Sequence, residues 1–161
     1  RRLNVAGEEL ASKLDQLLEQ QKKLEKQVAA LSTQLASSDL DAVFSGAATV
    51  EDIRVIAAQI VLDNPKTLRE VGDRVRDRLV SGVAVLGGAI DGKAALIALV
   101  SKDLTGRIKA GELVNQVALL VGGKGGGRPD MAQAGGPMAD KIREAIDAVP
   151  GIVKTLLAKP A

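Results

Sequence analysis

Lys124 and Arg128 lie in the run Gly122-Gly-Lys-Gly-Gly-Gly-Arg-Pro-Asp-Met-Ala-Gln-Ala-Gly-Gly136, which has the composition of neither a helix nor an ordinary loop. The chemistry it offers is anion binding. The glycines Gly122, Gly123, Gly125, Gly126 and Gly127 free the backbone to form a nest of exposed amides. Lys124 adds a point charge, and Arg128 a fork matched to phosphate oxygens. Pro129 stiffens the exit and holds Arg128 extended, while Gln133 offers a polar contact to a sugar or base edge. Lys102, Arg107 and Lys109 precede the run. Between Lys102 and Arg128 these five cations face only Asp103 and Glu112, a local excess of three positive charges. Phosphate pairs of this number give salt-sensitive affinity of modest strength. A flexible linker is the alternative for a Gly-rich run, but Arg-Pro-Asp-Met-Ala-Gln-Ala is not low-complexity sequence.

Other chemistries fail on residue type or context. A P-loop needs Ser or Thr after its Gly-Lys, and here Gly125 follows Lys124. A dinucleotide loop follows a strand and opens a helix, whereas this run follows a helical pattern and meets Pro129. The chain has no His and no Cys, which excludes serine–histidine catalysis, imidazole or thiolate zinc sites, and disulfides. Asp130, Asp140 and Asp147 stand at no metal-ligand spacing, and Asp130 is expected to order the loop by accepting backbone hydrogen bonds. No catalytic residue, metal or cofactor is assigned. Phe44 is the sole aromatic, so stacking of unpaired bases is excluded and any nucleic acid must be read by shape, amides and charge.

The long glycine motif resembles the signature of the C-terminal domain of the alanyl-tRNA synthetase family, within a wider group that also follows the catalytic domains of DHH phosphoesterases. Arg-Pro-Asp-Met-Ala-Gln-Ala favours the synthetases. The resemblance implies a non-catalytic module, called C-Ala, joined to the rest of a parent synthetase. It implies binding to the outer corner of an alanine-accepting tRNA, coupling of aminoacylation to editing, and possible dimerisation. Those readings leave two alternatives: an oligomerisation scaffold, or the substrate-binding domain of a DHH phosphoesterase.

Several elements must position the loop. Leu113, Val114, Val117, Ala118 and Val121 predict a helix before it, and Ile142, Ala145, Ile146 and Val149 one after it, which Pro150-Gly151 should break. Upstream, 53–62 suits a strand covered on both faces. Leu68, Val71, Val75 and Leu79 predict a helix whose arginines are solvated and salt-bridged. Strands at 82–90 and 94–100 flank Asp91-Gly92, a strong hairpin signal. Strand, helix, strand and hairpin imply a mixed sheet, with the first two strands parallel. Before all this, Leu3, Leu10, Leu17, Leu24 and Leu31 recur every seventh residue, interleaved with Leu14, Val28 and Leu35. That is a coiled-coil seam with Gln21 placed to set register, and its apolar stripe needs a mate.

The expected organisation is therefore a helical arm (1–38), a connector (39–52) and a mixed α/β domain (53–161) carrying the loop 122–136. The 161 residues, 46% hydrophobic, suffice for one modest domain plus an extension, and the net charge of +2 is weakly basic. No apolar run approaches a membrane span and no signal peptide is visible, so a cytoplasmic chain without a membrane partner is expected.

Overall fold

One helix, α1 (Gly7–Ser45), opens the structure, a computed structural model that describes residues 7–159. Glu, Lys and Gln around the leucine repeat are good helix formers. Leu10, Leu14, Leu17, Leu24, Val28 and Leu31 stand between 47% and 64% exposed. Gln21 donates from Nε2 to Glu25 Oε1 at 3.1 Å, one turn along. Leu3 and the Leu35 side chain lie outside the described residues.

The chain forms two compact units, 1–38 and 39–161. The division between them falls within a helix, since α1 continues to Ser45. Its last turns are anchored in the second unit. Leu40 and Val43 are buried there, Arg78 Nη1 meets Asp41 Oδ1 at 2.9 Å, and Arg54 Nη2 donates to the Phe44 carbonyl at 3.2 Å. The guanidiniums of Arg54 and Arg78 also face the Phe44 ring, 5.9 and 4.9 Å respectively from its centroid. The connector is thus the end of a helix plus a first short strand.

The sheet has six strands: β1 (Ala48–Val50), β2 (Ile53–Gln59), β3 (Val83–Ile90), β4 (Lys93–Val100), β5 (Lys124–Gly127) and β6 (Met131–Gly136), in the order β1-β2-β3-β4-β6-β5. Only β2 and β3 pair in parallel, joined through α2 (Pro65–Arg78). Asn64 Oδ1 accepts the Thr67 amide at 3.0 Å and Pro65 fills the first turn, so α2 starts where its capping residues dictate. Asp91 (φ 49°) and Gly92 (φ 74°) make the primed turn that joins β3 to β4. The sheet is mixed, as the sequence implies, but β1, β5 and β6 were not among the expected strands.

Helices cover both faces, which is why β3 and β4 read as nearly continuous apolar runs. On one face α2 packs Leu68, Val71, Val75 and Leu79 over Ile56, Leu86, Ile97 and Leu99. Gly72 permits this approach, since a Cβ there would lie 2.6 Å from Ile97 Cδ1. On the other face α3 (Ala110–Leu120), α4 (Ile142–Asp147) and α5 (Val149–Leu157) pack over Val55, Val83, Val85, Leu96 and Ala98. Pro150 breaks nothing. It sits in the first turn of α5, where the missing N–H would be unpaired anyway, and the helix break falls at Ala148. No helix among the described residues is long and apolar enough to cross a membrane.

Candidate nucleic-acid interface

The glycine motif is an edge hairpin, built from helix end to helix start. α3 stops because Gly122, at φ 70°, turns the chain into the left-handed region. Its amide donates to Leu119 O at 3.2 Å and that of Gly123 to Ala118 O at 2.9 Å, the paired bonds of a Schellman cap. β5 then runs antiparallel to β6, with Lys124 opposite Gly135, Gly125 opposite Ala134, Gly126 opposite Gln133 and Gly127 opposite Ala132. Arg128 and Met131 exchange backbone bonds across the turn, at 2.9 and 3.3 Å.

The expected nest of free amides is therefore corrected. The amides of Gly122 and Gly123 close the helix cap, the next three glycines are extended in β5, and the Gly125 amide is held from outside the sheet by Asn115 Oδ1 at 2.9 Å. Asp130 orders the turn differently from expectation as well. Its carbonyl accepts the Val100 amide at 2.9 Å, while its carboxylate faces Arg128 Nε at 3.7 Å. The Pro129 carbonyl takes the Ala110 amide at 2.8 Å, tying the hairpin tip to the start of α3. The result is a short strand of minimal side chains pinned along its length.

The five cations are not gathered into one cluster. The loop 101–109 swings across the end of the sheet to the β1–β2 turn, where Arg107 makes a two-pronged bond to Asp52 at 2.9 and 3.2 Å. Arg107 is thus engaged in structure. Lys102 is exposed on the same loop. Lys109 returns beside the hairpin and lines a groove of about 260 Å³ with Gly111, Glu112, Asn115, Gly126, Gly127 and Pro129. Arg128 is exposed at the hairpin tip and Lys124 at the far end of β5, roughly 13 Å away at ordinary strand rise. Gln133 is exposed on β6.

The loop's acids carry a pH signature. The Arg107 hydrogen bonds hold the Asp52 carboxyl below the usual carboxylate range, and hydrogen bonds from Ser101 and Ser81 do the same for Asp103. A depressed folded-state pKa contributes stability above the unfolded value, about 3.9, that is lost as pH falls through the folded value. With no His or Cys to titrate, melting should be flat between about pH 5.5 and 8.5 and decline only below about pH 4. Asp52→Asn should soften that acid decline, and a melting temperature that changes between pH 6 and 7 would contradict the assignment.

Residues 52–155 match the model of the DHHA1 domain. The chain belongs to the DHHA1 domain family. This DHHA1 domain is homologous to the C-terminal part of alanyl-tRNA synthetases. It is 50% identical over 138 residues to an alanine–tRNA ligase of Desulfosudis oleivorans (85% of this chain, 16% of the relative). It is 49% identical over 161 residues to one of Hydrogenovibrio crunogenus (96% of this chain, 18% of the relative). The chain thus spans about a sixth of the length of these relatives. Among solved structures, the C-Ala domain of Aquifex aeolicus alanyl-tRNA synthetase superposes with a TM-score of 0.62 at 29% identity, over 67% of this chain and 97% of that one.

Two residues of the hairpin's surroundings escaped the sequence reading. Asn115 looks like an ordinary polar position on an exposed helix face, and only the fold shows that it clasps Gly125. Lys93 follows the Asp91-Gly92 turn and has no cationic neighbour in sequence; the sheet register was the signal needed to place it.

Proposed function

We propose that this DHHA1 domain is the tRNA-binding module of a cytoplasmic alanyl-tRNA synthetase, non-catalytic by itself, which holds the outer corner of tRNA so that aminoacylation and editing act on one molecule. The observation that carries the reading is the pinned glycine hairpin with Lys124 and Arg128 at its two ends and Gln133 between them. Lys109 borders it, and Arg107 contributes indirectly by fixing the loop that also carries Lys102. Relatives named as alanine–tRNA ligases support the choice of RNA. A tRNA corner presents stacked and mostly paired surface, which suits a chain that lacks stacking aromatics.

Lys124→Ala with Arg128→Ala should weaken binding of a tRNA transcript with an alanine anticodon about tenfold at low salt. The slope of log K against log salt should fall by roughly 1.4 to 1.8, the share of two phosphate contacts. Unchanged binding at moderate salt would remove the hairpin from the mechanism.

A second reading, compatible with the first, is self-association through the arm. Leu10, Leu14, Leu17, Leu24, Val28 and Leu31 form a heptad stripe that is about half to two-thirds exposed.

A further inference from the structure

The hairpin has two faces, and the register separates them. Ile97 lies opposite Gln133, and Gln133 opposite Gly126; Ala95 lies opposite Gly135, and Gly135 opposite Lys124. Directly opposed residues share a face. Ile97 is under α2, so Gln133, Gly126, Gly135, Lys124 and, two residues before Ala95, Lys93 all belong to the α2 side. α2 covers Ile97 and Leu99 completely but stops there, leaving Ala95 half-buried and Gln133, Gly126 and Gly135 exposed.

The glycines of the opposite face are explained by packing. A Cβ on Gly125 would strike the Ala134 side chain and Gln133 O, and one on Gly127 would lie 2.6 Å from Met131 O. Gly126 is not explained in this way. Nothing lies within 4 Å of where its Cβ would be, and its φ is not in the left-handed region. Glycine weakens a strand interior, and where no protein atom demands it, a close-approaching ligand is the remaining physical use. The charge of the surface identifies that ligand. β4, β5 and β6 carry Lys93 and Lys124 and no carboxylate.

The geometry points to the α2-side face of β4-β6-β5 as the RNA-contact floor, on which a ribose–phosphate strand runs over Gly126 and Gly135 toward Lys93, with Lys124 on one side of it and Gln133 donating from the other. This rests on the tRNA-binding reading above and selects one face for it. Lys93 lies two strand spacings across and two residues along from Lys124, about 12 Å away on the diagonal, a distance that one sugar–phosphate strand can span. The floor is wide because side chains are missing from it, so the backbone of a folded RNA can come within reach of short as well as long donors.

The test uses the 161-residue chain and the same tRNA transcript, by filter binding across a salt series. Gly126→Val should retain a cooperative melt at or above the wild-type temperature, because valine suits a strand and has room there. It should nevertheless bind at least tenfold more weakly. Lys93→Ala should lower the salt slope by roughly 0.7 to 0.9, one phosphate. Gln116→Ala, exposed on the outer side of α3, should bind as wild type. Wild-type binding by Gly126→Val and Lys93→Ala, alongside weakened Lys124→Ala/Arg128→Ala, overturns this face while sparing the module reading. A wild-type chain that fails to bind overturns both. If Gly126→Val melts without cooperativity, Lys93→Glu decides instead: tenfold weaker binding supports the face, and unchanged binding overturns it.

Discussion

Gly125→Val is expected to destabilise the second unit by about 3 kcal/mol, while Gly126→Val, one residue on, should cost next to nothing. For a body of this size the first change lowers Tm by roughly 10 °C. The asymmetry comes from the two faces of one four-residue strand. A Cβ at Gly125 meets Gln133 O at 2.5 Å and Ala134 Cα at 2.7 Å, both backbone atoms that cannot rotate away. Relief requires β5 to move off β6, which takes the Gly125 amide from Asn115 and loosens the Schellman cap that delivers the strand. Those losses are coupled, so the cost exceeds that of the clash alone. Asn115→Ala isolates one part, about 1 kcal/mol for the single amide bond. Urea melts of the three variants check the order. Equal, small losses for Gly125→Val and Gly126→Val would mean that β5 detaches freely and that its glycines are spacers.

That contrast also shows why the hairpin was only half legible beforehand. The run's unusual composition is plain in the sequence, and so are its two cations and its flanking helices. Its conformation is not, because three glycines in a row have no strand propensity of their own. They become a strand only because β6 offers a ladder and Asn115 holds the outer edge. The better-marked elements behaved differently. Asp91-Gly92 fixed a turn type through two positive φ angles, and Asn64-Pro65 fixed a helix start; both are local and need no partner. The connector at 39–52 shows no helical repeat of its own, yet Leu40 and Val43 are buried in the body and α1 runs on to Ser45. Arg107 illustrates the same limit. Five cations in one stretch suggest a cluster, but a carboxylate fifty-five residues away, at Asp52, claims one of them.

The arm should show the second large effect. Leu17→Gln with Leu24→Gln is expected to raise the dissociation constant of a wild-type dimer at least a hundredfold, since each buried leucine contributes about 1.5 to 3 kcal/mol. Both residues stand about 60% exposed in the single chain, at 64% and 60%, with Val28 and Leu31 continuing the stripe. Nothing electrostatic drives or opposes this pairing, because residues 1–40 carry six positive and six negative charges. Self-association should therefore vary little with salt, whereas RNA binding through Lys93, Lys124 and Arg128 should fall steeply. Salt and mutation together make the two properties separable in one molecule. Sedimentation at tens of micromolar should find the wild type dimeric in 50 mM and 500 mM salt alike and the double variant monomeric, with the Tm of the second unit unchanged. A wild-type chain that remains monomeric at high micromolar concentration would leave the stripe for a helix of a longer parent protein to cover. Loss of tRNA binding in the monomeric variant would show instead that the hairpin's modest charge works only when two copies present it together.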